Sequence, residues 1–446
     1  MSRFMAVVQR AITNPILRSN LVFSLSASAM GVTNYLLSTM LARRLPPGDF
    51  SQVGVTLNII APLQPLAAAI GVAIVRSAAE NRVHGTRETT DAIQRTLLRG
   101  IVVIHLMLFA AMLVFHEQIS RFFRLTHPSL LYLALAISAV AFCFGLFQAA
   151  LQERGQYGRL SLLYFSESVF RLVGGVLVII LGYGVPAVVV IYLVSAGLIL
   201  IPLPRPNSLW SGTQAHWDRL RPVMRDVGAL TLSNLGVALL ISIDVALCRT
   251  FLDPVAADRY VALAAVAKFF LSVTGWAGAI AFRHLVEARQ QGEGGMRAIT
   301  ASFGTIIGLG IPFIALCAVG GPAIIGFAFG APFRASGAVL WITAVSAVAV
   351  SLLQLVIAYF NAVQWRWYLP VFVIGSMFTV AALPLAGHTL RGYVIVYAAG
   401  ATTLVLLLFA LMIMHMNRDT DTNTGMGTKT RGSTPVPLPI TEVVRL

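Results

Sequence analysis

The chain is predicted to be an all-α polytopic membrane protein with about twelve transmembrane helices in two six-helix lobes. Three observations carry that expectation. Hydrophobic residues make up 57% of the 446 and charged residues only 11%, about half the charge of a soluble chain. Apolar runs of about 20 residues, long enough to cross a bilayer, recur along almost the whole length. The chain also resembles itself when shifted by 207 residues.

The spans follow in order. Residues 1–19 form a cytoplasmic segment. There Phe4, Val7, Val8 and Ile12 lie beside Arg3, Arg10 and Arg18, which fits a helix along the inner membrane surface and an ordinary frayed terminus equally well. Span one, 20–42, ends at Arg43–Arg44 with no small-residue cleavage site, so it is a retained span and not a signal peptide. Ser24, Ser28, Gly31, Tyr35 and Ser38 recur on it at helical spacing and predict a close-packing face. Span two, 51–75, carries Asn58, Pro62, Gln64 and Pro65; two prolines free backbone carbonyls and bend a helix, which marks Pro62 and Pro65 as candidate gate or hinge positions. Span three is 97–115. Span four, 129–151, has Gln148 on one face with Gln152 just beyond, and span five, 161–181, has Glu167 and Arg171. Span six, 185–203, completes an N-lobe of 20–207, and 208–226 is a cytoplasmic inter-lobe loop.

The C-lobe, 227–414, repeats the pattern. Its spans are 227–248 with Asp244, 259–282 with Lys268, 300–319, 336–361 with Gln354 and Asn361, 368–386 and 392–414. Gly304–Gly308 and Gly326–Gly330 are GxxxG pairs expected to serve simple packing. Residues 415–446, rich in Thr, Gly and Pro, form a tail expected to be disordered.

Basic residues set the orientation. With the N-terminus inside, inside segments hold 22 Lys and Arg and outside segments hold 8, so both termini are expected to be cytoplasmic. The sequence pI near 10.5 does not point to nucleic acid, because the basic residues fall between apolar runs and form no single face. Cys143, Cys248 and Cys317 lie in or beside apolar runs without metal-ligand spacing, and no HExxH, Walker A, GxSxG or CxxC pattern occurs. No catalytic residue, metal or cofactor is expected.

In the repeat, "RSAAENR" (Arg76 to Arg82) falls on "RHLVEAR" (Arg283 to Arg289), so that Arg76 meets Arg283, Glu80 meets Glu287 and Arg82 meets Arg289. Six helices per half give a parallel repeat, related by a pseudo-twofold axis along the membrane normal. Two similar bundles with a cavity between them suit alternating access; a purely structural duplication is the other reading.

A charge at the bilayer centre costs roughly 2.5–3.5 kcal/mol on insertion scales, so such residues face protein or water. Lys268 is one of only two lysines and has no acid within one helical turn. Its partner must come from another helix or a ligand. Arg171 can pair with Glu167 at i, i+4, and Asp244 has Arg249 nearby in sequence. Arg171, Lys268, Glu167, Asp244, Asn58, Gln148 and Gln354 are the candidate cavity residues. An internal ion pair that only locks helices accounts for Glu167–Arg171 as well, and an interfacial carboxylate accounts for Asp244.

"LARRLPPGDFSQVGV" (Leu41 to Val55) resembles the first outer loop and second helix of bacterial polysaccharide exporters, and "LQERGQYGRLSLLYFSESVFRLVGG" (Leu151 to Gly175) resembles their link from helix four to helix five, with its cation at Arg171. The chain thus looks like a Wzx-type flippase of the multidrug/oligosaccharidyl-lipid/polysaccharide (MOP) superfamily, which also contains the MATE exporters and the lipid II flippases. The resemblance covers residues about 15–415. It implies a MATE/MOP-like fold in the bacterial inner membrane and a cargo of undecaprenyl-diphosphate-linked oligosaccharide. It further implies membrane lipids, a polysaccharide polymerase and a chain-length regulator as partners, without nucleic acid. Glu167 and Asp244 would carry a coupling H⁺ or Na⁺. The rival readings are a MATE-like cation-coupled exporter of small molecules, an integral-membrane glycan-processing enzyme, and a non-transporting scaffold.

Overall fold

The computed structural model describes residues 15–63, 87–153, 156–201, 217–290, 296–363 and 365–425. Twelve α-helices and no strands occur among them. In chain order they are α1 (Pro15–Arg44), α2 (Phe50–Ile60), α3 (Arg87–Phe122), α4 (Ser129–Glu153), α5 (Tyr157–Ile180), α6 (Val185–Leu198), α7 (Trp217–Phe251), α8 (Pro254–Gln290), α9 (Met296–Phe329), α10 (Leu340–Val363), α11 (Tyr368–Ala382) and α12 (Leu390–Gly425). Short 3₁₀ segments follow α2 (Ala61–Leu63), precede α10 (Ala331–Val339) and follow α11 (Leu383–Ala386). Among the described residues, eight helices are long and apolar enough to cross a membrane, and two shorter apolar helices accompany them. The chain is a multi-pass membrane protein.

The 207-residue shift reaches the helix ends. Arg44 closes α1 and Phe251, 207 positions on, closes α7; Phe122 closes α3 and Phe329, again 207 on, closes α9. The charged match at Arg76–Arg82 lies outside the described residues, as do Gln64, Pro65 and residues 1–14.

Three boundaries differ from expectation. Residues 217–226 of the presumed inter-lobe loop belong to α7. The tail begins not as coil but as the last turns of α12, which runs to Gly425: an established helix adds residues far more cheaply than it starts, so it outlasts its apolar stretch. The presumed outer loop after residue 319 is helical to Phe329, with Pro312 and Pro322 inside, and is followed by the 3₁₀ segment. That hairpin depends on two glycines. Gly321 and Gly337 bring their backbones so close that a Cβ on either would strike the other's carbonyl. The GxxxG pairs differ from each other: Gly304 and Gly308 face open space and do not pack within the chain, whereas Gly326 packs against Arg334.

Apolar side chains cover the outer faces. Along α3, Val103, Ile104, Leu106, Met107, Leu113 and Val114 are all more than half exposed, a surface that only acyl chains would solvate. Polar contacts lie inside, several of them between the lobes.

The cores show how the lobes meet. The largest cluster draws on both, with Leu37, Leu41, Phe50, Val53 and Leu131 from the N-lobe packed with Val245, Leu252, Tyr260, Val261 and Phe329 from the C-lobe. These residues lie toward the end of the bundle opposite the chain termini, here called the distal end. Toward the termini the cores separate. One cluster there is purely C-lobe, with Leu353, Phe360, Phe372 and Leu408; another is purely N-lobe, with Phe144, Leu151, Leu160 and Ile199.

Polar bonds complete the distal seam. The carboxylate of Asp258 on α8 accepts the backbone N–H groups of Gly48 (2.5 Å) and Ser51 (2.7 Å), at the start of α2. Arg249 donates to the Gly48 carbonyl, to Ser51 Oγ (2.9 Å) and to the Arg124 carbonyl (3.1 Å). Arg43 donates to the carbonyls of Phe327 and Ala328 at the end of α9, and Thr250 donates to the Phe122 carbonyl (2.9 Å). Gly48 holds its place with φ +91°, a conformation that an L side chain strains to adopt. Farther down α8, a Cβ at Gly54 of α2 would press on Val261, Tyr35 of α1 meets Phe269 with ring centroids 5.5 Å apart, and Gly31 sits against Ser272. Gly31 and Tyr35 of the small-residue face of α1 therefore meet the other lobe. Burial falls along α8 from Asp258 (4% exposed) through half-buried Lys268 to exposed Ser272.

Asp258→Ala removes a helix cap worth about 0.5–2 kcal/mol and is expected to part the distal ends. Spin labels on Tyr183→Cys and Leu385→Cys, both exposed at that end, with Cys143, Cys248 and Cys317 replaced, should report a longer distance population. An unchanged distance distribution would show that the cap does not hold the lobes together.

Candidate functional site

Lys268 answers for its place in an apolar helix by crossing the seam. It lies nine residues past Arg259, about 14 Å down α8 at 1.5 Å per residue, near the middle of a hydrocarbon layer about 30 Å thick. Its ammonium donates to Asn58 Oδ1 on α2. The Asn58 amide is itself fixed, since Nδ2 donates to the Gly54 carbonyl (2.8 Å) and so turns Oδ1 toward the lysine. No charge neutralises Lys268 in this contact; an amide dipole does the work.

The counter-charge stands on the other side of Lys268, within its own lobe. Asp244 and Lys268 line one small cavity of about 20 Å³, together with Thr343, Ser346 and Tyr397. That volume suits one water molecule or one small ion. Asp244 is 5% exposed. Its Oδ2 accepts the Tyr260 hydroxyl (2.7 Å), and its Oδ1 is buried without a hydrogen-bond partner. Tyr393 and Tyr397 donate to the backbone carbonyls of Asp244 and Leu240 in the same helix. Asp244 does not pair with Arg249. Five residues along a helix turn a side chain by about 140°, and Arg249 faces the distal seam.

Arg171 and Glu167 form a separate cluster inside the N-lobe. They make the i, i+4 ion pair, with 12% and 8% of their side chains exposed. Arg171 Nη1 donates to Asn34 Oδ1 on α1 (2.8 Å), and the guanidinium lies 4.9 Å from the centroid of the Tyr192 ring on α6. Every one of these partners belongs to the N-lobe, and Arg171 makes no contact with Lys268 or Asp244 among the described residues.

The remaining candidates scatter. Gln148 accepts the Tyr164 hydroxyl (2.7 Å) within the N-lobe. Gln354 is half-buried on α10, outside the Asp244 cavity. Asn361 is bound to Ser233 and Tyr368. Pro62 is buried in the 3₁₀ turn that ends the described part of α2, a conformation common at hinges; its companion Pro65 lies outside the described residues. The structure also brings in polar residues that the sequence gives no role, namely Asp258, Tyr260 and Asn34, and moves Arg249 from Asp244 to the distal seam. Of the first three, only Asn34 carried a signal, as the neighbour of Tyr35 on the small-residue face of α1.

Arg171→Met alone strands the buried Glu167 charge and should destabilise the purified protein by roughly 3–5 kcal/mol. Glu167→Gln combined with Arg171→Met should recover most of the loss in a thermal melt. A single Arg171→Met variant that melts like the wild type would refute this account of the pair.

No protein-family profile matches the sequence, and no curated protein matches it. Solved structures do. An inward-facing multidrug resistance MATE family transporter of the MOP superfamily superposes with a TM-score of 0.62 at 15% identity, over 90% of this chain and 95% of the other. The lipid II flippase MurJ, in an inward closed conformation, gives 0.68 at 14% identity over 88% and 87%. A Vibrio cholerae MATE transporter gives 0.60 at 13% identity over 90% and 96%. The chain therefore has the fold shared by these transporters and this flippase.

Proposed function

We propose that the protein is a flippase that moves undecaprenyl-diphosphate-linked oligosaccharide from the cytoplasmic to the periplasmic leaflet of a bacterial inner membrane, in polysaccharide biosynthesis. The observation that carries this reading is Lys268, an ammonium at mid-membrane depth, set in the seam between two lobes and held by a neutral amide. A diphosphate is a stronger partner for an ammonium than an amide is. Cargo entering from the terminus side, where the cores are separate, would displace Asn58. The inter-lobe bond would then become a bond to cargo.

In this reading both termini are cytoplasmic, as the 22-to-8 division of basic residues implies. The lobes rock about the seam, and the distal bonds of Asp258, Arg249 and Arg43 break as the distal side opens. The isoprenoid tail stays in lipid. An inside-negative potential favours outward movement of the anion by about 2.3 kcal/mol per charge per 100 mV. Asp244 is better placed than Glu167 to take a coupling proton or Na⁺, because its Oδ1 is free beside the small cavity while Glu167 is occupied by Arg171. Arg171 holds α1, α5 and α6 together and acts on transport by shaping the N-lobe. The chain performs no catalysis; its polymerase and chain-length partners act after release.

The test is glycan export in a complementation or vesicle flipping assay. Lys268→Ala removes a charge-assisted contact of about 1.5–3 kcal/mol and should cut export roughly 10- to 150-fold at equal protein level. Asn58→Ala should cost less, because the cargo replaces that contact. Wild-type export by Lys268→Ala would defeat the proposal. Altered drug susceptibility with normal glycan export in a deletion strain would favour a small-molecule exporter.

A further inference from the structure

A groove at the distal end of the N-lobe has no part in the proposed transport steps beyond the seam bonds of Arg43, which lines it. It lies between the last turns of α1 and α5, holds about 520 Å³, and is lined by Met40, Arg43, Arg44, Val176, Ile179 and Ile180. Its origin is local. A Cβ at Gly175 of α5 would press on Leu37 of α1, and one at Gly174 would press on Ile191 of α6, so the helices are tightest one turn below. Above that contact the two helix ends leave the groove.

The lining has two chemistries. Met40, Val176, Ile179 and Ile180 make an apolar wall, with Ile180 74% exposed. Arg43 and Arg44 stand at its distal rim, both exposed, and no acid lines the groove. Two cations could serve only the negative end of the α1 dipole. That role would not require an apolar trough of ligand size beneath them. An apolar wall at membrane depth below guanidinium groups at headgroup height complements one kind of molecule, a lipid whose chain lies on the wall and whose phosphate meets the arginines.

We infer that this groove binds the phosphate headgroup and chain of an anionic membrane phospholipid, and that the bound lipid favours parting of the distal seam. The second half follows from Arg43. Its Nε donates to the Ala328 carbonyl (2.8 Å) and its Nη2 to the Phe327 carbonyl, both at the end of α9 in the other lobe. A phosphate drawing on Arg43 competes with those carbonyls. Among the described residues Arg44 makes no such bond to the C-lobe, and it anchors the headgroup. Lipid and seam thus compete for one guanidinium, and by linkage a parted seam must bind the lipid more tightly.

The experiment uses the full chain in nanodiscs, with retained lipids counted by native mass spectrometry and the Tyr183→Cys/Leu385→Cys label distance recorded on the same samples. Neither readout requires the flippase reading, so the two can fail separately. Phosphatidylglycerol should be retained on the order of ten-fold more strongly than phosphatidylcholine and should lengthen the label distance. Arg44→Gln, an exposed substitution, should abolish the preference and leave the lipid-independent distance unchanged. Millimolar inorganic phosphate, lacking a chain, should not displace the lipid. Equal retention of the two lipids overturns the proposal, as does a preference that survives Arg44→Gln or effective competition by inorganic phosphate. Binding with no change in distance overturns the coupling to the seam.

Discussion

The first amides of α2 have no carbonyl of their own helix to bind, and within a bilayer no water would replace one. Asp49 stands at the start of α2 but makes no capping bond there; its carboxylate accepts the Gln52 amide instead (2.8 Å). The cap comes from Asp258, on a helix of the opposite lobe. This contact sets the register of α8 against the N-lobe. Once Asp258 is fixed at the start of α2, helical periodicity carries Val261, Lys268, Phe269 and Ser272 onto α2 and α1 in turn. The pseudo-symmetric partner α8 needs no such help, because Asp253 caps it from within (3.0 and 2.9 Å to the amides of Val255 and Ala256). The symmetry of the repeat is broken at this point, and one lobe depends on the other.

The buried charges solve a single problem in three ways. Arg171 is neutralised by its helical neighbour within its own lobe, although its Nε is buried without a hydrogen-bond partner. Arg249 and Asp258 satisfy backbone groups across the seam, so burying them also joins the lobes. Lys268 and Asp244 are left less than fully satisfied, the one held by a neutral amide and the other with a free oxygen. A charge without a full partner is costly to bury, and the incomplete pair is where a ligand has the most to gain. The same argument, applied at the rim of the α1–α5 groove, makes Arg44 more available than Arg43.

Much of this was legible in the sequence, for physical reasons. The eight span-length helices among the described residues follow from hydropathy, and Lys268 stands out because any charge at that depth needs a reason. Glu167 and Arg171 could be paired because helical geometry brings i and i+4 together without knowledge of the fold. What stayed hidden was set by tertiary approach. Asp258 is one of two acids in the short stretch between spans seven and eight, and its partners Gly48 and Ser51 lie more than 200 residues away. Arg249 was assigned to Asp244 by proximity in sequence, whereas rotation about the helix axis sends the two apart. Likewise the last turns of α9 read as loop because Gly320, Gly321 and Pro322 look like a break; the packing of Gly321 on Gly337 is what keeps them helical.

The borrowed cap also has a consequence for biogenesis. Asp258 is made 210 residues after Gly48. At about 5–20 residues per second, that is roughly 10–40 s during which the ribosome has delivered α2 but not the carboxylate that completes it. The newborn N-lobe must spend that interval with the beginning of its second helix lacking the carboxylate that later caps it. Assembly can finish only when the latter half of the polypeptide arrives.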